Sequence, residues 1–323
     1  MAERPLDDRL RIGVIGPGAM GCLFGSLLAL AGHEVWMLCR RADLAELLER
    51  QGITVERAGQ SRRAAVRATA EPKAAAPLDL AIVLVKSHAT RAAAWALLPA
   101  LGPISWVLTL QNGLGNAETL AEIVGVERLL AGVCSQGATL LGPGRVRHAG
   151  FGPTAVADLS SGARRAGTQR TDRARWAAEL LTAAGVPTEP ADDLAPLVWG
   201  KLIANTAINP LTALSGRHNG ELLDGPLAAL FDDLAAETAA VAGAAGIRLP
   251  FDDPPAHARA VARATAANRS SMLQDVEAGR PTEIGALNEA VVAEGARLGI
   301  PTPLNRAVSA LIRDLEARGG RRC

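Results

Sequence analysis

The chain has 323 residues, a net charge of +1, and 49% hydrophobic and 21% charged residues, which is typical of a globular protein with room for about two domains. The near-neutral charge gives no electrostatic reason to expect nucleic acid or an acidic membrane surface as a partner. The four cysteines lack paired spacing, the N-terminus does not resemble a signal peptide and every apolar run is interrupted. We therefore expect a cytoplasmic protein without disulfides or membrane spans. The five histidines lack metal-ligand spacing, so no metal is expected.

A glycine-rich loop follows the first predicted strand. Residues 10–15 are an apolar run, and Gly16, Gly18 and Gly21 follow it in the spacing G-x-G-x-x-G before an apolar helix and a second strand at 35–38. This order is typical of a dinucleotide-binding fold, in which the glycines permit a tight turn, a close diphosphate and close helix–strand packing. A glycine-rich turn in another kind of α/β protein is the alternative.

The end of the second strand indicates which dinucleotide binds. NAD-selective sites place an acid there to hold the ribose 2′-hydroxyl, whereas this chain has Arg40 and Arg41 and no acid before Asp43. A guanidinium suits a 2′-phosphate through its charge and its forked donors. We therefore predict NADPH as the cofactor, held by Arg40 or Arg41; two solvated surface arginines are the alternative.

Further strands are predicted at 78–87, 105–113 and 128–140. Helical segments separate the earlier ones, as the crossovers of a parallel sheet require. Lys86 and Asn112 stand at the carboxyl ends of their strands, where open α/β sheets bind ligands. An ordinary loop lysine and an ordinary turn are the alternatives for these two residues.

The strand pattern ends near residue 190. Before that point, residues 144–159 predict a hairpin added to the sheet, and residues 160–172 predict a polar surface loop. Beyond it, helical periodicity covers 192–215, 222–246, 254–278 and 283–298. The predicted fold is an N-terminal Rossmann-type doubly wound α/β domain over 1–190, which binds NADP, followed by an all-helical domain over 191–323.

One predicted helix carries a polar stripe. Lys201, Asn205 and Asn209 lie four residues apart and therefore on one helix face. An unpaired buried polar group costs roughly 1–3 kcal/mol, so another part of the protein or a ligand must satisfy this stripe. The ammonium group of Lys201 can stabilise a developing negative charge and donate a proton, which makes it a candidate general acid.

A second polar cluster lies between residues 268 and 283. Thr282 predicts a helix N-cap with Glu283 in the first turn, where the helix dipole favours a carboxylate. From the residues alone, Glu283 has only this helix-end role, and Ser271 is a cap or a surface serine.

Several stretches of the chain, taken in order, resemble the ketopantoate reductase family (2-dehydropantoate 2-reductase). They are GPGAMG, LVKS, QNGLG, WGKLIANTAINPLTAL, NGEL, NRSSMLQD and TEIGALN. The resemblance covers essentially the whole chain, and the lysine–asparagine stretch followed by SSMLQD is far more specific than the glycine loop. It implies NADPH on the N-terminal domain, a 2-oxoacid substrate against the helical domain, and reduction of ketopantoate to (R)-pantoate for pantothenate and coenzyme A biosynthesis.

The resemblance also implies the residues of the site. Lys201 matches the catalytic lysine and Glu283 the acid that lines the site. Positions that match substrate contacts are Asn205, Asn209, Asn219, Asn268 and Ser271. Positions that match cofactor contacts are Gly16, Pro17, Gly18, Ala19, Met20, Gly21, Arg40, Lys86, Asn112, Ala138 and Glu283. The segment 134–147, which contains Ala138, departs most from the family pattern.

Other functions stay open at this point. The same machinery could reduce another branched 2-oxoacid or an imine, or the chain could be a dinucleotide-binding sensor without turnover. The joint presence of Lys201, Asn205 and Glu283 favours an enzyme, since a sensor need not keep them. Whether Glu283 orients Lys201 or binds a substrate hydroxyl is not defined by the sequence, nor is the oligomeric state, for which a homodimer stays open.

Overall fold

The computed structural model describes residues 9–160 and 169–319. The chain divides into two compact units, the first comprising Met1–Gln111 and Asn116–Leu194 and the second Asn112–Gly115 and Ala195–Cys323. Most of the predicted polar loop at 160–172 lies outside the described residues, and its last residues are helical from Gln169.

The first unit contains the strands and five α-helices. Its strands are β1 (Arg11–Ile15), β2 (Glu34–Leu38), β3 (Ile53–Arg57), β4 (Gln60–Ala64), β5 (Arg67–Thr69), β6 (Leu78–Val83), β7 (Leu101–Thr109), β8 (Leu129–Cys134), β9 (Gly137–Gly142), β10 (Arg145–Gly150), β11 (Thr154–Asp158) and β12 (Thr188–Pro190). Its helices are α1 (Ala19–Leu30), α2 (Ala42–Gln51), α3 (Thr90–Leu97), α4 (Asn116–Val124) and α5 (Gln169–Ala183).

The main sheet of this unit has eight strands in the order β12-β11-β8-β7-β6-β1-β2-β5. Strand β1 pairs in parallel with β2 and β6, and β7 pairs in parallel with β6 and β8. Met37 and Leu38, adjacent in β2, contribute to two different apolar clusters. Because successive side chains of a strand point to opposite faces, both faces of the sheet are covered. The predicted doubly wound α/β fold is confirmed.

A smaller sheet corrects two predictions. The predicted strand at 128–140 is wrong, since β8 belongs to the main sheet and β9 to a four-stranded sheet in the order β4-β3-β10-β9. The predicted hairpin at 144–159 is also wrong, because β10 pairs with β9 and β3 while β11 pairs with β8 and β12. Alternating polarity identifies a strand but does not specify its pairing partner.

The second unit contains the remaining helices and a short 3₁₀ turn at Asn219–Leu222. The helices are α6 (Ala195–Ser215), α7 (Leu227–Ala244), α8 (Pro254–Ala264), α9 (Ser271–Glu277), α10 (Asn288–Leu298) and α11 (Pro303–Ala317). Helix α6 is central, because it contacts α7, α8, α9 and α11. Among the described residues, none of the helices combines the length and apolarity that crossing a bilayer requires.

Two predicted helices of this unit are corrected. The segment 254–278 forms two helices, because Ser270 caps a new one by accepting a hydrogen bond from Leu273 N at 3.0 Å. The segment 283–298 is helical only from Asn288. Thr282 is not an N-cap; its Oγ1 accepts a hydrogen bond from Ile284 N at 3.2 Å, a local turn that competes with helix. Glu283 therefore precedes the helix, and its predicted first-turn position is wrong.

Candidate active site

The glycine loop joins β1 to α1 in the first unit. Gly16 has φ +103°, and a Cβ there would lie 2.7 Å from Val85 N. A Cβ at Gly21 would lie 1.9 Å from the carbonyl oxygen of Gly16. No larger residue fits either position. A Cβ at Gly18 would meet no atom within 4 Å among the residues described, so the loop faces open space at this one glycine.

The open space at Gly18 suits a diphosphate. Gly18 is the N-cap residue of α1, and the first turn of that helix contains no acidic residue. The first N–H groups of a helix have no partner within the helix, and the helix dipole favours an anion at this end. A side chain at Gly18 would occupy the place where the phosphates approach, so the residues present fit a dinucleotide.

Arg40 and Arg41 follow β2 and differ in their environment. Arg41 Nε donates to Asp43 Oδ1 at 2.9 Å, and this hydrogen bond raises the pKa of the guanidinium. Arg40 is exposed and has no hydrogen-bond or ion-pair partner within the ranges 9–160 and 169–319. Of the two, Arg40 is the one available to a ligand phosphate.

The loop that contains Lys86 lies beside the glycine loop. Strand β6 ends at Val83, and Leu84 N donates to Ile15 O at 2.9 Å, which holds the following loop against the end of β1. The carbonyl oxygen of Leu84 would lie 2.9 Å from a Cβ at Gly16. The structure thus brings Lys86 to the carboxyl edge of the main sheet, where the glycine loop also lies.

Two residues that the sequence did not single out fix the loops at this edge. Gln111 Nε2 donates to Val85 O and to Thr90 Oγ1, both at 2.8 Å. Thr90 Oγ1 in turn donates to Asn116 Oδ1 at 2.9 Å. Gln111 and Asn116 therefore tie the loops after β6 and β7 together. Their polar character in the stretch QNGLGN was the signal that could have found them.

Ala138 occupies a different kind of position. It lies in β9 of the smaller sheet, opposite His148 of β10. Its side chain is partly buried against the larger apolar cluster of the first unit. A methyl group at this position offers apolar contact only.

In the second unit, Lys201 meets Asn112 directly. Lys201 Nζ donates to Asn112 Oδ1 at 2.7 Å, and the lysine is half-buried. Asn112 begins the loop Asn112–Gly115, which is seated by a hydrogen bond from Leu114 N to Ala286 O at 2.9 Å. Gly113 has φ +84°, and a Cβ there would lie 2.2 Å from Ala286 O. Only glycine permits this close approach.

Glu283 is the first residue of the turn to which the loop Asn112–Gly115 is hydrogen-bonded. Its carbonyl oxygen accepts hydrogen bonds from Ala286 N at 3.0 Å and Leu287 N at 3.2 Å, and the residue is 7% exposed. The neighbouring Ile284 packs in one apolar cluster with Trp199 and Leu202, which flank Lys201 along α6. The backbones that carry Lys201 and Glu283 are therefore fixed by the same packing.

The two asparagines of the α6 stripe are buried to different degrees. Asn209 is 5% exposed and Asn205 is half-buried. Within the described part of the chain, neither side-chain amide has a hydrogen-bond partner. Burying amides without partners costs stability unless a ligand pairs with them, so this stripe is suited to binding.

The other predicted substrate contacts fall into two groups. Thr212 Oγ1 donates to Ser270 Oγ at 2.6 Å, which holds the start of α9 and the exposed Ser271 against α6. Asn219 N donates to Asn268 O at 3.0 Å, which joins those two residues. Among the described atoms, the buried Asn219 Oδ1 has no hydrogen-bond partner, so this amide also has an unused acceptor.

No group of three or more potential metal-ligating side chains comes together within the described residues. The site instead combines one ammonium group, neutral amides, a hydroxyl and one buried carboxyl. Such a set can bind an anionic substrate and donate one proton. This is the chemistry that reduction of a ketone requires.

Comparison with known proteins identifies the family. Residues 12–161 match the family model for ketopantoate reductase PanE/ApbA, and residues 193–316 match the model for the C-terminal part of the same family. The chain belongs to the ketopantoate reductase family. The resemblance drawn from the motifs is confirmed.

Similar proteins include a 2-dehydropantoate 2-reductase from Archaeoglobus fulgidus, 35% identical over 308 residues, which cover 95% of this chain and 98% of the relative. A relative of the same name from Halobacterium salinarum is 35% identical over 306 residues, covering 94% and 98%. Among solved structures, a PanE/ApbA family ketopantoate reductase from Ralstonia eutropha has a TM-score of 0.86 and 35% identity over 96% of this chain and 99% of that one. A D-mandelate dehydrogenase solved with NADH and anilino(oxo)acetate shares the fold, with a TM-score of 0.88 at 24% identity over 96% of this chain and 99% of that one.

Proposed function

We propose that this ketopantoate reductase family member reduces 2-dehydropantoate to (R)-pantoate with NADPH, a step in pantothenate and coenzyme A biosynthesis. The observation that carries the proposal is the Lys201 ammonium group, held 2.7 Å from Asn112 Oδ1 at the start of an asparagine stripe. Relatives of this name at 35% identity over nearly the whole chain support it.

The first unit binds the cofactor, which supplies the hydride when it is bound. The loop from Gly16 to Gly21 holds the diphosphate at the start of α1, and Arg40 pairs with the 2′-phosphate. Lys86 adds a polar contact to the cofactor. Family resemblance adds Ala138 of this unit to the list, together with Asn112 and Glu283, which belong to the second unit.

The second unit binds the substrate and supplies the proton. The 2-oxoacid carboxylate and hydroxyl are held by neutral groups, which add no charge that competes with the lysine; these groups are Asn205, Asn209, Asn219, Asn268 and Ser271. Lys201 donates a hydrogen bond to the ketone oxygen. As the carbonyl carbon gains a hydride, this oxygen becomes an alkoxide and takes the proton from Lys201 Nζ. Glu283 lines the site beside it.

The buried cysteines support a reducing, cytoplasmic location for this reaction. Burial raises the pKa of the Cys22 thiol to about 12 and that of Cys39 to about 11. Cys134 is buried as well and forms no disulfide within the described residues. Buried, protonated thiols are inert, and free cysteines are typical of proteins in reducing compartments.

A panel of 2-oxoacids tests the function. NADPH oxidation should be followed with ketopantoate, shorter and unbranched 2-oxoacids, and an aromatic 2-oxoacid. We expect kcat/KM for ketopantoate to exceed the others by about tenfold or more, since missing methyl and hydroxyl contacts weaken transition-state binding. A higher kcat/KM for another member of the panel would show that this other 2-oxoacid, and not ketopantoate, is the substrate. Tight NADPH binding without oxidation by any of them would indicate a sensor.

A further inference from the structure

Helix α6 contains a proline that leaves one backbone carbonyl of the helix without its intrahelical hydrogen bond. Pro210 lies inside the helix, and because proline has no N–H, the carbonyl of Thr206 one turn earlier loses its intrahelical donor. Asn288 replaces that donor: its Nδ2 lies 3.0 Å from Thr206 O. Thr206 and Asn288 are both fully buried. The first residue of α10 is thus hydrogen-bonded to the backbone of α6 at the break.

The Asn288 amide is held in one orientation. Its Nδ2 also donates to Asn305 Oδ1 at 2.9 Å. Asn305 Nδ2 donates in turn to Glu237 Oε1 at 2.8 Å, and Glu237 accepts the backbone N–H of Leu304 at 3.0 Å at the start of α11. Three helices therefore fix the direction in which this amide points.

Stability alone does not account for an asparagine here. Its Oδ1 is buried without a hydrogen-bond partner among the described residues, and such an oxygen costs about 1–3 kcal/mol. Residues that break a packing rule in this way occur preferentially at functional sites. The position of Asn288 in the chain indicates what it does.

Asn288 completes a ring of hydrogen bonds and backbone segments that includes Lys201 and the turn beginning at Glu283. It directly follows the turn that begins at Glu283. Ala286 of that turn accepts the hydrogen bond of Leu114 at 2.9 Å, and Asn112 of the same loop accepts that of Lys201 at 2.7 Å. From Lys201, α6 leads to Thr206 and back to Asn288.

We propose that Asn288 is a positioning residue for the proton donor. Its bond to α6 fixes the distance between Lys201 and the turn that carries Glu283 and seats Asn112. The proposal rests on the reductase function assigned above. Because a misplacement of about 1 Å can cost about 10²-fold in rate, Asn288→Leu should lower kcat by about tenfold or more and leave the Kd for NADPH within about twofold of wild type.

Thr238→Val is the matched control. Thr238 belongs to the same buried network, since its Oγ1 lies 2.9 Å from Thr206 Oγ1 and 3.4 Å from Asn305 Nδ2. It lies on α7, outside the ring. Both variants should lower the thermal midpoint, because each removes buried hydrogen bonds. Only Asn288→Leu should lower kcat.

Pro210→Ala separates positioning from simple support of the fold. Alanine returns the N–H that Thr206 O requires, so the double variant Asn288→Leu/Pro210→Ala should regain part of the lost thermal midpoint. The link between α6 and α10 stays cut, so kcat of the double variant should remain about tenfold below that of Pro210→Ala alone. Recovery of kcat together with stability would overturn the proposal, as would a kcat for Asn288→Leu within about twofold of wild type or an equal loss in Thr238→Val.

These rates are to be measured with the 2-oxoacid of the panel that the wild-type enzyme reduces fastest. A wrong substrate assignment then leaves the comparison of variants intact. Wild-type protein that reduces no member of the panel would overturn the proposed function and, with it, the positioning role. Active wild type with an equally active Asn288→Leu variant would overturn the positioning role alone.

Discussion

Arg40 and Arg41 are adjacent, yet their side chains have different partners. The guanidinium of Arg41 donates a hydrogen bond of 2.9 Å to Asp43, while Arg40 is exposed. The sequence alone left both arginines as candidates for the 2′-phosphate. The structure supplies the reason to choose Arg40, because a guanidinium already paired with a carboxylate offers less to a second anion.

Arg40→Ala should therefore raise KM for NADPH by about tenfold or more, a loss of about 1.4 kcal/mol. KM for NADH, which lacks the 2′-phosphate, should change little. Arg41→Ala is the matched control and should affect NADPH less than Arg40→Ala does. Steady-state kinetics with both cofactors measure this. Equal effects of Arg40→Ala on NADPH and NADH would contradict the assignment, and a larger effect of Arg41→Ala would transfer the role to Arg41.

At the scale of the element, the β1–α1 loop contains glycines required for different reasons. Gly21 is needed by the fold, since a Cβ would lie 1.9 Å from Gly16 O, whereas Gly18 faces open space. Gly18→Val should fold normally and weaken NADPH and NADH alike, because its side chain fills the approach of the diphosphate. Gly21→Ala should instead lower the thermal midpoint strongly.

Fluorescence titration and thermal unfolding distinguish the two variants. A folded Gly18→Val protein with wild-type affinity for both dinucleotides would show that the loop has only a structural role. Gly21→Ala as stable as wild type would show that the helix can move away from Gly16 without cost.

The smaller sheet contains a buried histidine whose titration should make stability depend on pH. His148 is 4% exposed, and its Nε2 lies 2.7 Å from Gln136 Oε1. Because Gln136 donates its own amide hydrogen to Gly152 O, its oxygen accepts and His148 Nε2 carries the hydrogen. Burial, reinforced by the charge of Arg57, lowers the pKa of this imidazole below its ordinary value.

Acid should therefore destabilise the protein before its carboxylates titrate. A histidine with a lowered folded-state pKa binds its proton first in the unfolded chain, so its contribution is complete above pH about 6.5 and is lost as the pH falls towards the folded-state pKa. Burial lowers the pKa of His33 and His257 in the same direction. Urea unfolding at pH about 7.5 and about 5.5 should show a smaller loss in His148→Gln than in wild type. An identical loss in both proteins would contradict this role.

For the whole molecule, the sequence predicts what depends on local periodicity. The strand–loop–helix–strand start and the long helix α6 follow from apolar spacing and from three glycines. Strands β3, β4 and β5 and the smaller sheet were not predicted, because a short strand is recognised by its partner and not by its own pattern. The same reason explains the wrong strand at 128–140 and the wrong hairpin at 144–159.

In the candidate site too, the sequence predicts individual residues but not their long-range contacts. Lys201, Asn112 and Glu283 were each singled out from the sequence, but for unrelated reasons. The hydrogen bond between Lys201 and Asn112 spans 89 residues, and no periodicity encodes such a pairing. Asn288 was not predicted, because the sequence does not show which residue binds the carbonyl that Pro210 leaves without an intrahelical donor.

The central claim is that the polar face of α6 binds substrate and that Lys201 donates the proton. The most direct measurement is kcat of Lys201→Ala for ketopantoate with NADPH, together with the Kd for NADPH and the thermal midpoint. We expect kcat to fall by at least about 10² and NADPH affinity to stay near wild type. The midpoint should change little, because a polar group that faces a ligand contributes little to the stability of the empty fold and can even strain it.

Asn205→Ala, measured in parallel, should act mainly on KM for the substrate, since its contacts exist in the ground state as well as in the transition state. Wild-type kcat in Lys201→Ala, combined with a markedly lower thermal midpoint, would contradict the account. The stripe would then be an internal structural network, and the protein would lack its proposed catalytic acid.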